Sequence, residues 1–151
     1  MPAFSIKING LDRLTKAVKS SPKTVYQALS GAIRNSVNII RPIMVREAPF
    51  ATGKLRGNIY ARATGLTGMV GPNLSITPYA FIVHEGSRPH DIRPRFKKAL
   101  YWKGALHPVK VVHHPGTKAN PFIERTVDIV RNPVDKIFKL AIDQVVNKLA
   151  A

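Results

Sequence analysis

The stretch His113-His114-Pro115-Gly116-Thr117-Lys118-Ala119-Asn120-Pro121-Phe122 divides the chain in two. N-terminal to it lie short β-branched and basic runs broken by turn residues. C-terminal to it an apolar pattern of helical period runs almost to the last residue. Pro115-Gly116 reads as a turn, because proline presets φ near −65° and glycine accepts φ > 0. Asn120 before Pro121 reads as a helix N-cap followed by the first helical position. The stretch is therefore the corner at which a sheet hands over to a terminal helix, with Phe122 plugging the joint.

On the C-terminal side, Phe122, Ile123, Val127, Val130, Val134, Ile137, Phe138, Ala141, Ile142, Val145 and Leu149 keep helical spacing. Asn132-Pro133 interrupts them, and Asn is a good cap. The pattern predicts two consecutive helices, about 121–131 and 133–149.

On the N-terminal side, Val109 to Val112 and Ala99 to Trp102 are two predicted strands joined by a turn over 104–108. Between residues 88 and 103 stand Arg88, Arg93, Arg95, Lys97, Lys98 and Lys103, with Phe96, Tyr101 and Trp102 interleaved. Further back, Tyr79 to Glu85 is apolar and too short to type by period; a short helical turn reaching a buried position is expected. Met69-Val70-Gly71 begins a return strand after a Gly65-Leu66-Thr67-Gly68 turn, and the basic segment from Leu55 to Thr64 runs into its partner strand. Val25, Leu29, Ile33, Val37, Ile40 and Met44 mark a long amphipathic helix over about 22–47, with a kink expected at Pro42. Phe4, Ile6 and Ile8 alternate as a short strand, and Leu11, Leu14 and Val18 mark a short helix. The chain reads as one α+β domain over 1–151, helical over 10–47, sheet-forming over 54–114 and helical again over 121–149. A small twisted antiparallel sheet is packed by a long kinked N-terminal helix and a C-terminal helical segment.

Composition narrows the chemistry. There is no cysteine, which excludes disulfide scaffolds, thiolate metal sites and thiol nucleophiles and fits a reducing interior. The N-terminus lacks an apolar signal core, and no apolar run reaches the length of a membrane span. The 24 Lys+Arg against 8 Asp+Glu leave a net +16. Residues 1–48 carry 8 − 2 = +6, residues 49–117 carry 10 − 2 = +8, and residues 118–151 carry 6 − 4 = +2. The excess is thus spread over folded sequence, and it favours a polyanionic partner such as nucleic acid, an anionic membrane surface or an acidic protein.

The histidines His84, His90, His107, His113 and His114 match no zinc spacing and have only Glu85 and Asp91 near them in sequence. If His84-Glu85 and His113-His114 lie in strands, each pair points to opposite faces. No phosphate loop is present, since Gly65-Leu66-Thr67-Gly68 has neither the spacing nor the lysine. No catalytic, cofactor or metal residues are assigned. The basic–aromatic run 88–103 suits a nucleic-acid strand if its rings face outward, and a core with a solvated charged face if they face inward.

Three motifs in order carry a family resemblance. Ala48-Pro49-x-x-Thr52-Gly53-x-Leu55-Arg56 follows the long helix. Tyr79-Ala80-x-x-Val83-His84-x-Gly86 follows the hairpin. His114-Pro115-Gly116-Thr117-Lys118-x-x-Pro121-Phe122 precedes the last helix. In this order and at these separations the chain resembles the neck and tail-completion family of long-tailed bacteriophages, also labelled minor tail component or head-to-tail joining protein, over roughly residues 5–130. The resemblance implies an α+β subunit without an active site or cofactor. It implies a homo-oligomeric ring, commonly sixfold, in the virion at the head-to-tail junction, assembled in the host cytoplasm. Adjacent neck and tail-tube proteins would be its partners, with DNA passing through its lumen and no membrane. It gives Gly53, Gly86 and Gly116 tight backbone, Pro49, Pro115 and Pro121 corners, and Tyr79 and Phe122 the role of anchoring loops to the core. Of the basic residues, some of Arg88, Arg93, Arg95, Lys97, Lys98 and Lys103 are expected to face the lumen or an acidic neighbouring ring. A basic nucleic-acid-binding module without a virion role, or a tail-terminator ring in place of the neck ring, are the alternatives.

Overall fold

The computed structural model describes residues 22–150. The strand predicted at 4–8 and the helix predicted at 11–18 lie outside the described residues. The long helix expected from period alone is α1, Pro22–Glu47, with Val25, Ala32, Ser36, Val37, Ile40 and Met44 on its buried stripe. Ser36 is tolerated there because its hydroxyl donates to the Ala32 carbonyl at 2.8 Å. The helix runs on through Pro42. Proline deprives the Asn38 carbonyl of its intrahelical donor, but Asn38 and Pro42 are both exposed, so the gap lies on the solvent-facing side of the helix.

The chain turns at Ala48 through a one-turn helix α2, Lys54–Gly57, into strand β1, Ile59–Thr64. A two-residue loop, Gly65-Leu66, returns it as β2, Thr67–Pro72, in antiparallel register from Ile59↔Pro72 to Thr64↔Thr67. The turn is thus tighter than the four residues expected. Tyr79 to Glu85 forms the short helix α3, Ala80–Glu85, which buries Ala80 and His84. A second antiparallel pair follows, β3, His90–Ile92, with β4, Val112–His114. The structure is therefore α+β with small antiparallel sheets between a long N-terminal and a long C-terminal helix. Among the described residues the sheet is two separate two-stranded ribbons.

Two sequence expectations are corrected here. The C-terminal pair of helices is one helix, α4, Phe122–Ala150, continuous through Pro133. The carbonyl that Pro133 orphans belongs to the exposed Ile129, so the gap faces solvent, while Val130, Val134 and Phe138 hold both halves to the same core. The strands expected at 99–102 and 109–112 reduce to a single bridge, Leu100 to Val109, and the pairing that persists lies further along at Val112–His114.

Helices α1 and α4 run antiparallel. Val25 near the start of α1 packs with Val145 near the end of α4, and Glu47 at the other end of α1 meets Arg125 in the first turn of α4. Between them one cluster unites Ala32, Ile40 and Met44 with Leu55, Ile59, Ala80, Phe122, Val130 and Phe138. All three sequence motifs contribute to it. Each large side chain so buried is worth roughly 1.5–3 kcal/mol.

Candidate functional site

The corner of the molecule is built from the second and third motifs. Gly86 ends α3 with φ 79°, and Gly116 follows β4 with φ 91°. The Ser87 and Thr117 backbones exchange both bonds of an antiparallel bridge, N–H to carbonyl at 2.9 and 3.1 Å, and the Thr117 N–H also reaches the Ser87 hydroxyl at 3.0 Å. The bridge brings each glycine against the other's neighbour. A Cβ on Gly116 would stand 2.3 Å from the Ser87 carbonyl oxygen, and one on Gly86 would stand 2.6 Å from that of Thr117. Both φ angles and both close approaches require glycine. The motifs thus interlock through backbone, across thirty residues of sequence.

The interlock is tied to the helices on either side. The Asn120 N–H donates to the last carbonyls of α3, Val83 at 3.0 Å and His84 at 3.2 Å. The expected capping roles shift by one residue. Pro121 offers the carbonyl for the first helical bond of α4, from the Arg125 N–H at 3.2 Å, and Phe122 is the first helical residue. The Asn120 side chain does not cap the helix. Its Oδ1 accepts from Arg125 Nη2 at 2.7 Å. The same guanidinium donates to the Glu47 carbonyl at 3.0 Å and, through Nε, to the Glu47 carboxylate at 3.2 Å. Arg125 therefore clamps the C-terminus of α1, where a cation is favoured by the helix dipole, to the corner.

His84 lies in helix α3, so it and Glu85 are not the opposite-facing strand pair considered from sequence. Its ring is buried, edge-on to Phe122 with centroids 5.4 Å apart. Nε2 is 3.1 Å from the Glu124 carboxylate and 3.8 Å from that of Glu85. Nδ1 is buried and without a protein partner among the described residues. Glu124 escaped the sequence reading because only the fold brings α4 back to α3. Among the described residues no three His, Asp or Glu side chains converge as a metal site.

Of the motif residues, Leu55, Ala80, His84 and Phe122 are buried, and Pro49, Gly53, Gly86, His114 and Gly116 are half-buried. Thr52, Pro115 and Pro121 are exposed, and Thr52 Oγ1 accepts the Lys54 N–H at 3.4 Å. Tyr79 departs from its expected role. It is 37% exposed at the head of α3 and does not anchor a loop, while the neighbouring Ala80 takes the core position. Phe122 is fully buried.

The basic–aromatic run forms an arm on the far side of β3 and β4. At its base His113 Nδ1 lies 2.6 Å from the Asp91 carboxylate, Arg93 lies 3.8 Å from it, and His90 stacks on His114 with centroids 5.1 Å apart. Higher up, Leu100 and Val109 exchange backbone bonds at 2.7 and 3.0 Å. The tip turns at Trp102-Lys103-Gly104-Ala105, where the Ala105 N–H donates to the Trp102 carbonyl at 3.0 Å and Gly104 takes φ 102°. Arg88, Arg93, Arg95, Lys97, Lys98 and Lys103 are all exposed. So are the rings: Phe96 is 99% exposed, Tyr101 69% and Trp102 50%. Fully burying one such ring would stabilise the fold by roughly 1.5–3 kcal/mol, and the chain forgoes this. By contrast, Arg41, Arg56 and Arg125 serve the fold, donating to the carbonyls of Ile59, Ala48 and Glu47 at 2.9, 2.8 and 3.0 Å.

No protein-family model, curated protein or solved structure matches this chain.

Proposed function

We propose that this chain is a structural virion protein of a tailed bacteriophage, a ring-forming subunit at the head-to-tail junction that helps to join head and tail and to line the DNA passage. The interlock carries the reading. The residues on which the family resemblance rests make a backbone joint at Gly86 and Gly116 and bury the Phe122 ring, and the Arg125 clamp beside them ties the joint to the end of α1. That is what a subunit needs when its work is to hold surfaces in place. Leu55 of the first motif enters the same core cluster as Ala80 and Phe122 of the other two, so the three motifs form one structural unit.

The partners proposed with this role are further copies of the chain in a sixfold ring, the adjacent neck and tail-tube proteins, and DNA in the lumen. No cofactor and no catalytic residue belong to it. Among the described residues no helix is long and apolar enough to cross a membrane. The test is co-expression with the portal and tail-tube proteins proposed as its partners, followed by sedimentation and native mass measurement. A closed ring alone or with these partners is expected. A subunit that stays monomeric with every partner present would contradict the proposal. A basic nucleic-acid-binding module remains the second reading because of the exposed arm; it predicts strand binding by a monomer or dimer and no role in joining.

A further inference from the structure

We infer that the arm over residues 93–110 is a docking surface for a nucleic-acid strand with unpaired bases, its cations meeting phosphates and its rings stacking on bases. Three observations carry this. First, Arg95, Lys97, Lys98 and Lys103 have no carboxylate within ion-pair distance among the described residues, because the one acid of the region, Asp91, is held at the base by His113 and Arg93. Second, Phe96, Tyr101 and Trp102 stand among these cations and belong to no core cluster. A surface meant only for the even charge of a duplex needs lysine and arginine, whereas rings between cations suit bases that can leave their own stack. Third, the arm is built to project. The Leu100–Val109 bridge closes its stem, and the turn at Trp102-Lys103-Gly104-Ala105 places a ring and a cation side by side at its tip.

The inference goes beyond the assembly role, in which the DNA passing the lumen is contacted without its bases being read or unstacked. The two are separable by experiment: a chain that forms rings yet binds no strand contradicts this inference alone.

Trp102 is the only tryptophan in the chain, so its emission reports on the arm and on nothing else. The experiment titrates the full chain with oligo-dT of about 15 nucleotides, within the span that stacking surfaces cover, and with a duplex of equal length. Trp102 quenching and the anisotropy of labelled DNA are read at several salt concentrations. The expected result is quenching by oligo-dT, tighter binding of oligo-dT than of duplex, and a salt slope that falls by about 0.7 for each arm cation removed. F96A/Y101A, with Trp102 kept, is expected to weaken oligo-dT at least tenfold and duplex much less. R95E/K97E/K98E is expected to weaken both. Unchanged far-UV circular dichroism and melting temperature show that each variant is folded. Equal affinity for duplex and oligo-dT, or indifference to F96A/Y101A, overturns the inference in favour of charge alone. Binding of poly-glutamate with the same quenching and affinity overturns it in favour of an acidic protein partner.

Discussion

At the scale of the residue, the decisive positions are those where nothing else fits. Gly116→Ala must place a Cβ 2.3 Å from a backbone oxygen at φ 91°. The left-handed conformation alone costs roughly 1–2 kcal/mol, and here the neighbour that must yield is backbone. Urea denaturation is expected to show a loss of about 3 kcal/mol or more, at the upper end of single substitutions. Gly104→Ala is the control. Its φ is also positive, but a Cβ there meets nothing within 4 Å, and about 1 kcal/mol is expected. If the two variants lose equal stability, the interlock is not what holds the corner. Phe122→Ala should cost about 3–5 kcal/mol by opening a cavity in the core. Tyr79→Ala, at an exposed position, should stay within about 1 kcal/mol. The resemblance gives Tyr79 and Phe122 the same anchoring role, and the structure assigns the buried place beside Tyr79 to Ala80. An aromatic next to a small residue at the head of a short helix leaves open which of the two faces inward. Only the packing of α3 decides it.

At the scale of the element, periodicity served well wherever one face alone is buried. The limits of α1 follow from Val25 to Met44 recurring on one stripe, and the brief helix at α3 follows from its length and its Gly86 stop. It served poorly at Pro133. The good cap Asn132 argued for a break, but the apolar stripe on both sides of the proline meets one continuous core, and tertiary packing outweighs a lost hydrogen bond whose acceptor faces water. Pro133→Ala should therefore stabilise the protein, by about 1–3 kcal/mol from the interior-proline penalty. Hydrogen exchange of the amides around it should show one unbroken helix, and a loss of stability would indicate two helices with a required turn. The Arg125 clamp was illegible for a different reason. Its partners, Glu47 and Asn120, are brought to it by the antiparallel return of α4 along α1, which no local pattern records. Arg125→Met keeps the stem and removes the donors. It should cost about 1–2 kcal/mol, a charged hydrogen-bond network discounted for its partial exposure, with the loss concentrated at the junction of α1 and α4.

At the scale of the whole molecule, two populations stand out among the cations of the described residues. Some arginines, such as Arg41, Arg56 and Arg125, satisfy backbone carbonyls and belong to the fold. Among the described residues the arm cations Arg95, Lys97, Lys98 and Lys103 form no ion pair. Composition could show the excess but not this division, because a cation's partner is set by distance in the fold. The same holds for Phe96, Tyr101 and Trp102, whose inward and outward orientations were equally open until the stem of the arm shrank to one bridge. Reversing three of the arm charges is expected to impair head-to-tail joining while leaving the melting temperature within a few degrees; normal joining would remove the arm from the account. The proposed function gives the chain a place in a particle. Its most direct measurement is a cryo-electron-microscopy reconstruction of the head-to-tail junction in particles that contain this chain. The expected result is density for α1, α4 and the interlocked corner repeated as a closed ring between portal and tail tube, with the arm directed into the lumen or onto a neighbouring ring. Particles whose junction is complete without this chain would contradict it.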